Sequence, residues 1–273
     1  MRFNRILVCI AVSLVYLAIR VLALWPIDIS SHALQFALAV VLTAVTMFFQ
    51  LTLIFSVVRL RMTPLHTVLL TVCSGTLVAL ILYNPDLMMH VMGPFLPLGH
   101  DLFLILFATS LGYFISFIIR EPNILLPAVV FAGLVDYWGV SMGPVGNMVK
   151  NAPTVVAKAS VAMPTVTLHG IRVASMIGMG DFLFMALFLG VLYRFSLNAK
   201  GAFWLGFGLL TLAMLAVMAT RIPAVPALLP MGVAVLATNM KAFNLKRDEI
   251  FATLYVGIIL LVFIGLYAYG HRT

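Results

Sequence analysis

The chain has 273 residues, of which 64% are hydrophobic and 9% are charged, and its mean hydropathy is +1.18. Ordinary soluble domains carry about 25% charged residues, so this composition excludes a water-soluble globule and leaves the lipid bilayer as the solvent. The formal net charge of +8 therefore indicates membrane sidedness rather than a nucleic-acid partner. Cys9 and Cys73 both lie in apolar runs, which excludes a disulfide framework and a cysteine zinc site.

A membrane-spanning helix needs about 20 apolar residues. Runs of about that length divide the whole chain and predict an integral, multi-pass, all-α polytopic membrane protein, a bundle of about nine transmembrane helices. The runs cover 4–25, 33–58, 65–83, 102–120, 125–147, 177–195, 201–220, 222–240 and 249–270. The longest connections between them are 84–101, with Pro85, Pro94 and Pro97, and 148–176, with Pro153 and Pro164. The first run has no small-residue cleavage site after it, so we expect a retained anchor helix.

The distribution of Lys and Arg predicts the orientation, because these residues are retained on the cytoplasmic side. With the N-terminus inside, the inside set has ten members: Arg2, Arg5, Arg59, Arg61, Arg120, Arg194, Lys200, Lys241, Lys246 and Arg247. The outside set has five: Lys150, Lys158, Arg172, Arg221 and Arg272. We therefore expect the N-terminus inside, although the sidedness of the loop 148–176 depends on the number of helices before it. Arg20 lies within the first run and either snorkels to the interface or pairs with a carboxylate.

Two of the eight acidic residues lie inside apolar runs, where an Asp costs about 2.5–3.5 kcal/mol to insert. Asp136 is in the middle of its run, and Asp181 is near the start of the next one. The other six lie in or beside predicted loops: Asp28, Asp86, Asp101, Glu121, Asp248 and Glu249. Asp136 and Asp181 therefore each need a partner or a water-filled cavity, and each could separately satisfy a polar group on a neighbouring helix.

Two carboxyl groups within hydrogen-bond reach share one proton, which is the arrangement of an aspartyl-protease dyad. The ionised member takes a proton from a water that attacks the scissile carbonyl, and the protonated member donates to its oxygen. Asp181 lies in the first turn of its predicted helix, where the helix dipole favours an anion. We therefore expect Asp136 to hold the shared proton more readily.

Small residues and prolines mark the two segments that follow. Gly178 and Gly180 precede Asp181 and remove side chains where the helix begins, so that another helix or an extended substrate can approach closely. The segment 222–230 holds three prolines, which prevent a regular helix from starting there. Backbone groups left without helical partners are tolerated in a membrane only beside water or protein.

Asp136 in one span, the sequence Gly-Met-Gly-Asp-Phe-Leu-Phe at 178–184, and Pro-Ala-Leu at 226–228 together resemble the presenilin and signal peptide peptidase family. These enzymes are the GxGD-type intramembrane aspartyl proteases, and the phenylalanine after Asp181 is typical of the presenilin branch. The resemblance covers about 125–242. It implies that Asp136 and Asp181 are the catalytic pair and that no metal or cofactor takes part. It also implies roles in shaping the site or holding substrate for Gly178, Gly180, Pro226, Ala227 and Leu228. The family's tyrosine before the first aspartate is Val135 here.

The resemblance further implies a substrate that is itself a transmembrane helix of another membrane protein. Its cleavage requires local unwinding, and the exposed amides then need new partners, which an enzyme strand could supply. The loop 154–168 is rich in Val and Thr and predicts either such strands or a mobile apolar loop at the interface. We divide the chain accordingly into N-terminal scaffold helices at 1–124, a catalytic region at 125–242 and a C-terminal helix at 243–273.

Other functions place their own requirements on the sequence: those of a metalloprotease, a transporter or channel, and a scaffold. The six His are scattered, with no pair at i,i+4 on one predicted helix, so a metalloprotease lacks its ligands. A proton- or cation-coupled transporter or channel could use the same two aspartates, with the prolines marking a broken helix. A scaffold in a membrane complex is a third alternative.

Overall fold

The computed structural model describes most of the chain as helices of varying length. The described residues are 2–23, 32–141, 148, 151–163, 166–168, 171–173, 176–220, 226–243 and 247–270. Six helical stretches among them are long and apolar enough to cross a membrane: Phe3–Leu22, Val40–Arg59, Pro64–Tyr83, Pro85–Ser116, Pro122–Val140 and Ala199–Val217. The expectation of a helical, multi-pass membrane protein is confirmed, whereas the count of nine spans stays a prediction.

The chain forms two compact units, the first comprising Met1–Phe114 and Val156–Leu187. Its helices before the sheet region are α1 (Arg2–Ala23), α2 (His32–Arg59), α3 (Pro64–Tyr83), α4 (Pro85–Met92) and α5 (Leu96–Ser116). Helix α1 packs against α2, and many fully buried side chains come from α2 and α5, among them Leu53, Ile54, Leu104 and Ile105. This unit therefore has its own apolar core.

The segment 84–101 is mostly helical, so its prediction as a connection is wrong. The prolines that indicated a loop include Pro85 and Pro97, which lie in the first turns of α4 and α5. A proline is tolerated there because the amide it lacks would have no helical partner. Gly93 separates the two helices with a φ of +54°, a left-handed conformation that suits glycine.

Two small antiparallel sheets follow a short helix, α7 (Pro153–Lys158). The first sheet pairs β1 (Ser160–Ala162) with β4 (Met176–Gly178), and the second pairs β2 (Val166–Leu168) with β3 (Ile171–Val173). The expectation of strands in the loop 154–168 is confirmed for β1 and β2. The protein is therefore not purely helical in this region, where β-branched residues favour extended structure.

Helix α8 (Met179–Arg194) begins directly after β4 and packs closely against α5. A Cβ atom on Gly112 of α5 would overlap the backbone carbonyl of Leu183 in α8. Only glycine permits this approach, because a helical carbonyl cannot rotate away without breaking its hydrogen bond. The pair fixes the start of α8 against α5.

The second unit comprises Ile115–Val155 and Phe188–Thr273. Its long helices are α6 (Leu125–Ser141), α9 (Ala199–Thr220), α10 (Leu228–Asn239) and α11 (Arg247–Gly270). Helix α10 packs against α6 and α9, and α6 also packs against α11, where the rings of Trp138 and Phe263 meet edge to face at 5.8 Å. These two compact units cut across the predicted division at 124 and 242, which stays a prediction.

Arg194, the last residue of α8, closes the end of α5 within this unit. Its guanidinium donates to the carbonyls of Ser116 and Ile119, the latter at 3.2 Å, and lies 5.0 Å from the centre of the Phe117 ring. The last carbonyls of a helix have no helical donors, so a cation at this place satisfies them.

Candidate active site

Asp136 in α6 is partly buried, and its carboxylate binds the start of α10. The oxygen Oδ2 accepts a hydrogen bond of 2.9 Å from the backbone amide of Leu228, the last residue of the Pro-Ala-Leu segment. Leu228 is the first residue of α10, so this amide has no partner inside its own helix. The structure therefore brings together Asp136 and the segment 226–228, two motifs that are 92 residues apart in the chain.

Two glycines on facing helices bring α10 this close to α6. A Cβ atom on Gly232 would lie 2.6 Å from Cγ1 of Val129, and one on Gly133 would lie 3.0 Å from Cδ2 of Leu229. Small residues allow helix backbones to approach in a membrane, where packing drives association. Sequence reasoning missed both glycines, although Gly133 lies one turn before Asp136 and Gly232 one turn after Leu228.

The expectation that the prolines of 222–230 prevent a helix from starting there is met at Pro226, which is not helical, and is wrong at Pro230, which lies in the first turn of α10. Pro226 and Ala227 are not helical, and α10 begins only at Leu228. Residues 221–225 lie outside the described residues. Leu228 itself is buried, with 5% of its surface exposed, so the last residue of the motif faces protein.

Asp181 lies in the first unit as the third residue of α8. Its Oδ2 accepts a hydrogen bond of 3.2 Å from the backbone amide of Gly178, the residue that precedes the helix. A carboxylate at this position that reaches back to the preceding amide is one half of a capping box. The aspartate therefore stabilises its own helix start, whatever further role it has.

Both carboxyl groups thus lie at the start of a helix, Asp181 in α8 and Asp136 against α10. The dipole of each helix favours an anion at its N-terminus. The expectation that Asp136 holds the shared proton more readily is based on Asp181 being the one aspartate at a helix start. Asp136 also contacts a helix start, that of α10, so this expectation stays a prediction.

The strand pairing explains why the Gly178 amide is available to Asp181. In an antiparallel pair, residues that exchange hydrogen bonds with the partner strand alternate with residues that do not. The amide of Met179 donates to the Ala159 carbonyl at 3.0 Å, which makes that opposed pair the bonded kind. Ser160 and Gly178, the next opposed pair, therefore exchange no hydrogen bonds with each other, and the Gly178 amide faces away from β1.

The two glycines of the motif have open surroundings among the described residues. A Cβ atom on Gly180 would meet nothing within 4 Å, and one on Gly178 would meet only Oδ2 of Asp181, at 3.6 Å. No helix of the described part therefore uses these glycines for close packing. Among the described residues of this unit, the close contact of α8 with another helix is at Gly112 of α5 and not at the two glycines of the motif.

Asp101 is an acidic residue buried inside the helical stretch Pro85–Ser116, and sequence reasoning missed it. Asp101 was expected at the edge of a loop, but it lies in the second turn of α5 with 6% of its surface exposed. Its carboxylate forms an ion pair with Arg20 of α1. Of the two alternatives for Arg20, the structure therefore selects pairing with a carboxylate.

Asp136 belongs to the second unit and Asp181 to the first. Their pairing as a dyad stays a prediction. Within the described ranges, no group of three or more His, Cys, Asp or Glu side chains could hold a metal ion. Comparisons with protein-family models, with curated proteins and with solved structures found no match.

Proposed function

We propose that this protein is an intramembrane-cleaving aspartyl endopeptidase, with Asp136 and Asp181 as its catalytic pair. The observation that carries the proposal is the hydrogen bond from the Leu228 amide to Asp136, because it joins the first aspartate to the Pro-Ala-Leu segment. The resemblance to the presenilin and signal peptide peptidase family requires these two motifs to meet. The proposal includes the nine spans predicted from the sequence.

The proposed reaction is the hydrolysis of a peptide bond by water. The ionised carboxylate takes a proton from the water, whose oxygen forms a bond to the carbonyl carbon, and the protonated carboxyl group donates to the carbonyl oxygen. The proton then moves to the leaving amine as the carbon–nitrogen bond breaks. Because Oδ2 of Asp136 already accepts from the Leu228 amide, we assign the proton transfer to its Oδ1 atom.

The proposed substrate is a transmembrane segment of another membrane protein in the lipid bilayer. An unwound segment needs partners for its backbone amides, and an added strand at a sheet edge obtains them. The sheet of β1 and β4 has two strands in the described part, so each strand has an outer edge. The open space around Gly180, the second residue of α8, supports an extended chain beside Asp181.

The test is cleavage of a reporter transmembrane peptide by the purified full-length chain in lipid vesicles. We expect cleavage by the unaltered protein and none by Asp136→Ala or Asp181→Ala. The matched control is Asp86→Ala, which removes an exposed carboxylate from the first turn of α4 and should leave cleavage unchanged. Retained cleavage by either of the first two variants would reject the proposal, and proton- or cation-coupled transport by the same vesicles would support the transporter alternative.

A further inference from the structure

Arg20 of α1 connects α5 to the sheet that leads into Asp181, entirely within the first unit. Its guanidinium donates one hydrogen bond to the Asp101 carboxylate and another, of 2.7 Å, to the Ala162 carbonyl in β1. Arg20 is 9% exposed. Tyr16, one turn earlier in α1, is fully buried.

The alternation of the strand ladder places the Ala162 carbonyl on the outer edge of β1. Ala162 and Met176 are opposed, two positions beyond the pair of Ser160 and Gly178. Because the two kinds of opposed pair alternate, Ala162 and Met176 are also a pair that exchanges no hydrogen bonds across the sheet. Its carbonyl therefore points away from β4 and needs another donor. Arg20 supplies that donor from a neighbouring helix.

We propose that Arg20 is a positioning residue for Asp181. It fixes the outer edge of β1, β1 holds β4 through the ladder, and β4 runs directly into the first turn of α8. The Met179 amide, bonded to Ala159, carries this connection to within two residues of Asp181. The inference rests on the proposed function, in which the placement of Asp181 decides the rate.

The chemistry of the site calls for arginine in particular. A charged side chain inside a membrane is costly, so its retention at a buried position indicates a role beyond solubility. The planar guanidinium can reach a carboxylate and a carbonyl at once, whereas the ammonium of lysine is a compact charge without this fork. Arg20→Lys therefore keeps the ion pair with Asp101 and loses the hold on Ala162.

The experiment measures the pairing of β1 and β4 by disulfide crosslinking of the full-length chain in vesicles. Ala162→Cys and Met176→Cys place two thiols opposite each other, at a separation that suits a disulfide, in a background where Cys9→Ala and Cys73→Ala remove the native thiols. We expect Arg20→Lys to lower the crosslinking yield at limiting oxidant by about tenfold, as for the loss of one charge-assisted hydrogen bond.

The matched control is Arg5→Lys. Arg5 lies in the same helix and also donates to a backbone carbonyl, at 3.0 Å, but this carbonyl belongs to Arg59 at the end of α2 and not to the sheet. We expect its crosslinking to equal that of the unaltered chain. In the cleavage assay, Arg20→Lys should lower kcat by about tenfold and change KM by less than about twofold, because a misplaced catalytic group acts on the transition state.

Unchanged crosslinking in Arg20→Lys, an equal loss in Arg5→Lys, or an unchanged kcat alongside reduced crosslinking would each overturn the positioning role. If Arg20→Lys does not insert, the double variant Arg20→Met with Asp101→Asn removes both buried charges and the donor to the Ala162 carbonyl, and it must show the same loss. The crosslinking result does not depend on proteolysis. Retained cleavage by Asp136→Ala would therefore reject the proposed function and leave the crosslinking measurement of the anchor standing.

Discussion

The contact between Gly112 and Leu183 gives a prediction whose size follows from the structure. Gly112→Ala places a methyl group where the Leu183 carbonyl lies, so α5 and α8 must move apart. Overpacking of this kind costs about 1–3 kcal/mol. It is opposed by the helix propensity of alanine, which exceeds that of glycine by about 0.8–1.0 kcal/mol.

Gly208→Ala is the matched control for this variant. Gly208 lies in the middle of α9, and a Cβ atom there would meet nothing within 4 Å. Only the propensity gain applies at this position. The difference in unfolding free energy between the two alanine variants therefore isolates the overpacking cost, and we expect Gly112→Ala to be less stable than Gly208→Ala by about 1–3 kcal/mol.

The measurement is equilibrium unfolding of each purified variant in detergent micelles, followed by tryptophan fluorescence. Cleavage of the reporter peptide by the same samples adds a second readout, because Leu183 lies two residues after Asp181. We expect reduced cleavage for Gly112→Ala and unchanged cleavage for Gly208→Ala. Equal stability of the two variants would show that α5 and α8 do not approach as closely as described, and the reasoning would be wrong.

Three further predictions concern the second unit. Asp136→Asn removes the charge but keeps an acceptor for the Leu228 amide. We expect it to abolish cleavage and to lower the unfolding free energy by at least about 1 kcal/mol less than Asp136→Ala does. Equal losses of stability in the two variants would contradict this. Asn239→Leu removes the side-chain oxygen that accepts from the backbone amide of Asn198 at 2.8 Å. Calorimetry should show an unfolding free energy lower by about 1–2 kcal/mol, and an unchanged melting temperature would refute this. Arg194→Gln leaves carbonyls at the end of α5 without their cation, so exchange of nearby backbone amides should become faster, whereas unaltered exchange would refute the cap.

The sequence determined the features that depend on local chemistry. Lipid requires each spanning segment to satisfy its own backbone hydrogen bonds, so an apolar run of sufficient length predicts a helix without knowledge of its neighbours. Side-chain chemistry likewise predicted an irregular backbone at Pro226 and strands in the Val- and Thr-rich loop 154–168, where β1 and β2 lie. The prediction of a loop at 84–101 was wrong, because proline is favoured in the first turn of a helix as well as in loops, and the sequence alone does not distinguish the two positions.

Tertiary structure alone decided which polar groups meet. Arg20 and Asp101 are 81 residues apart, and Asp136 and Leu228 are 92 apart. No repeating pattern in the sequence predicts contacts at such separations. The sequence indicates that a buried charge needs a partner, because the cost of burial belongs to the residue itself. The choice of partner depends instead on how closely helices pack, which glycines such as Gly232 permit at one point and larger side chains prevent elsewhere.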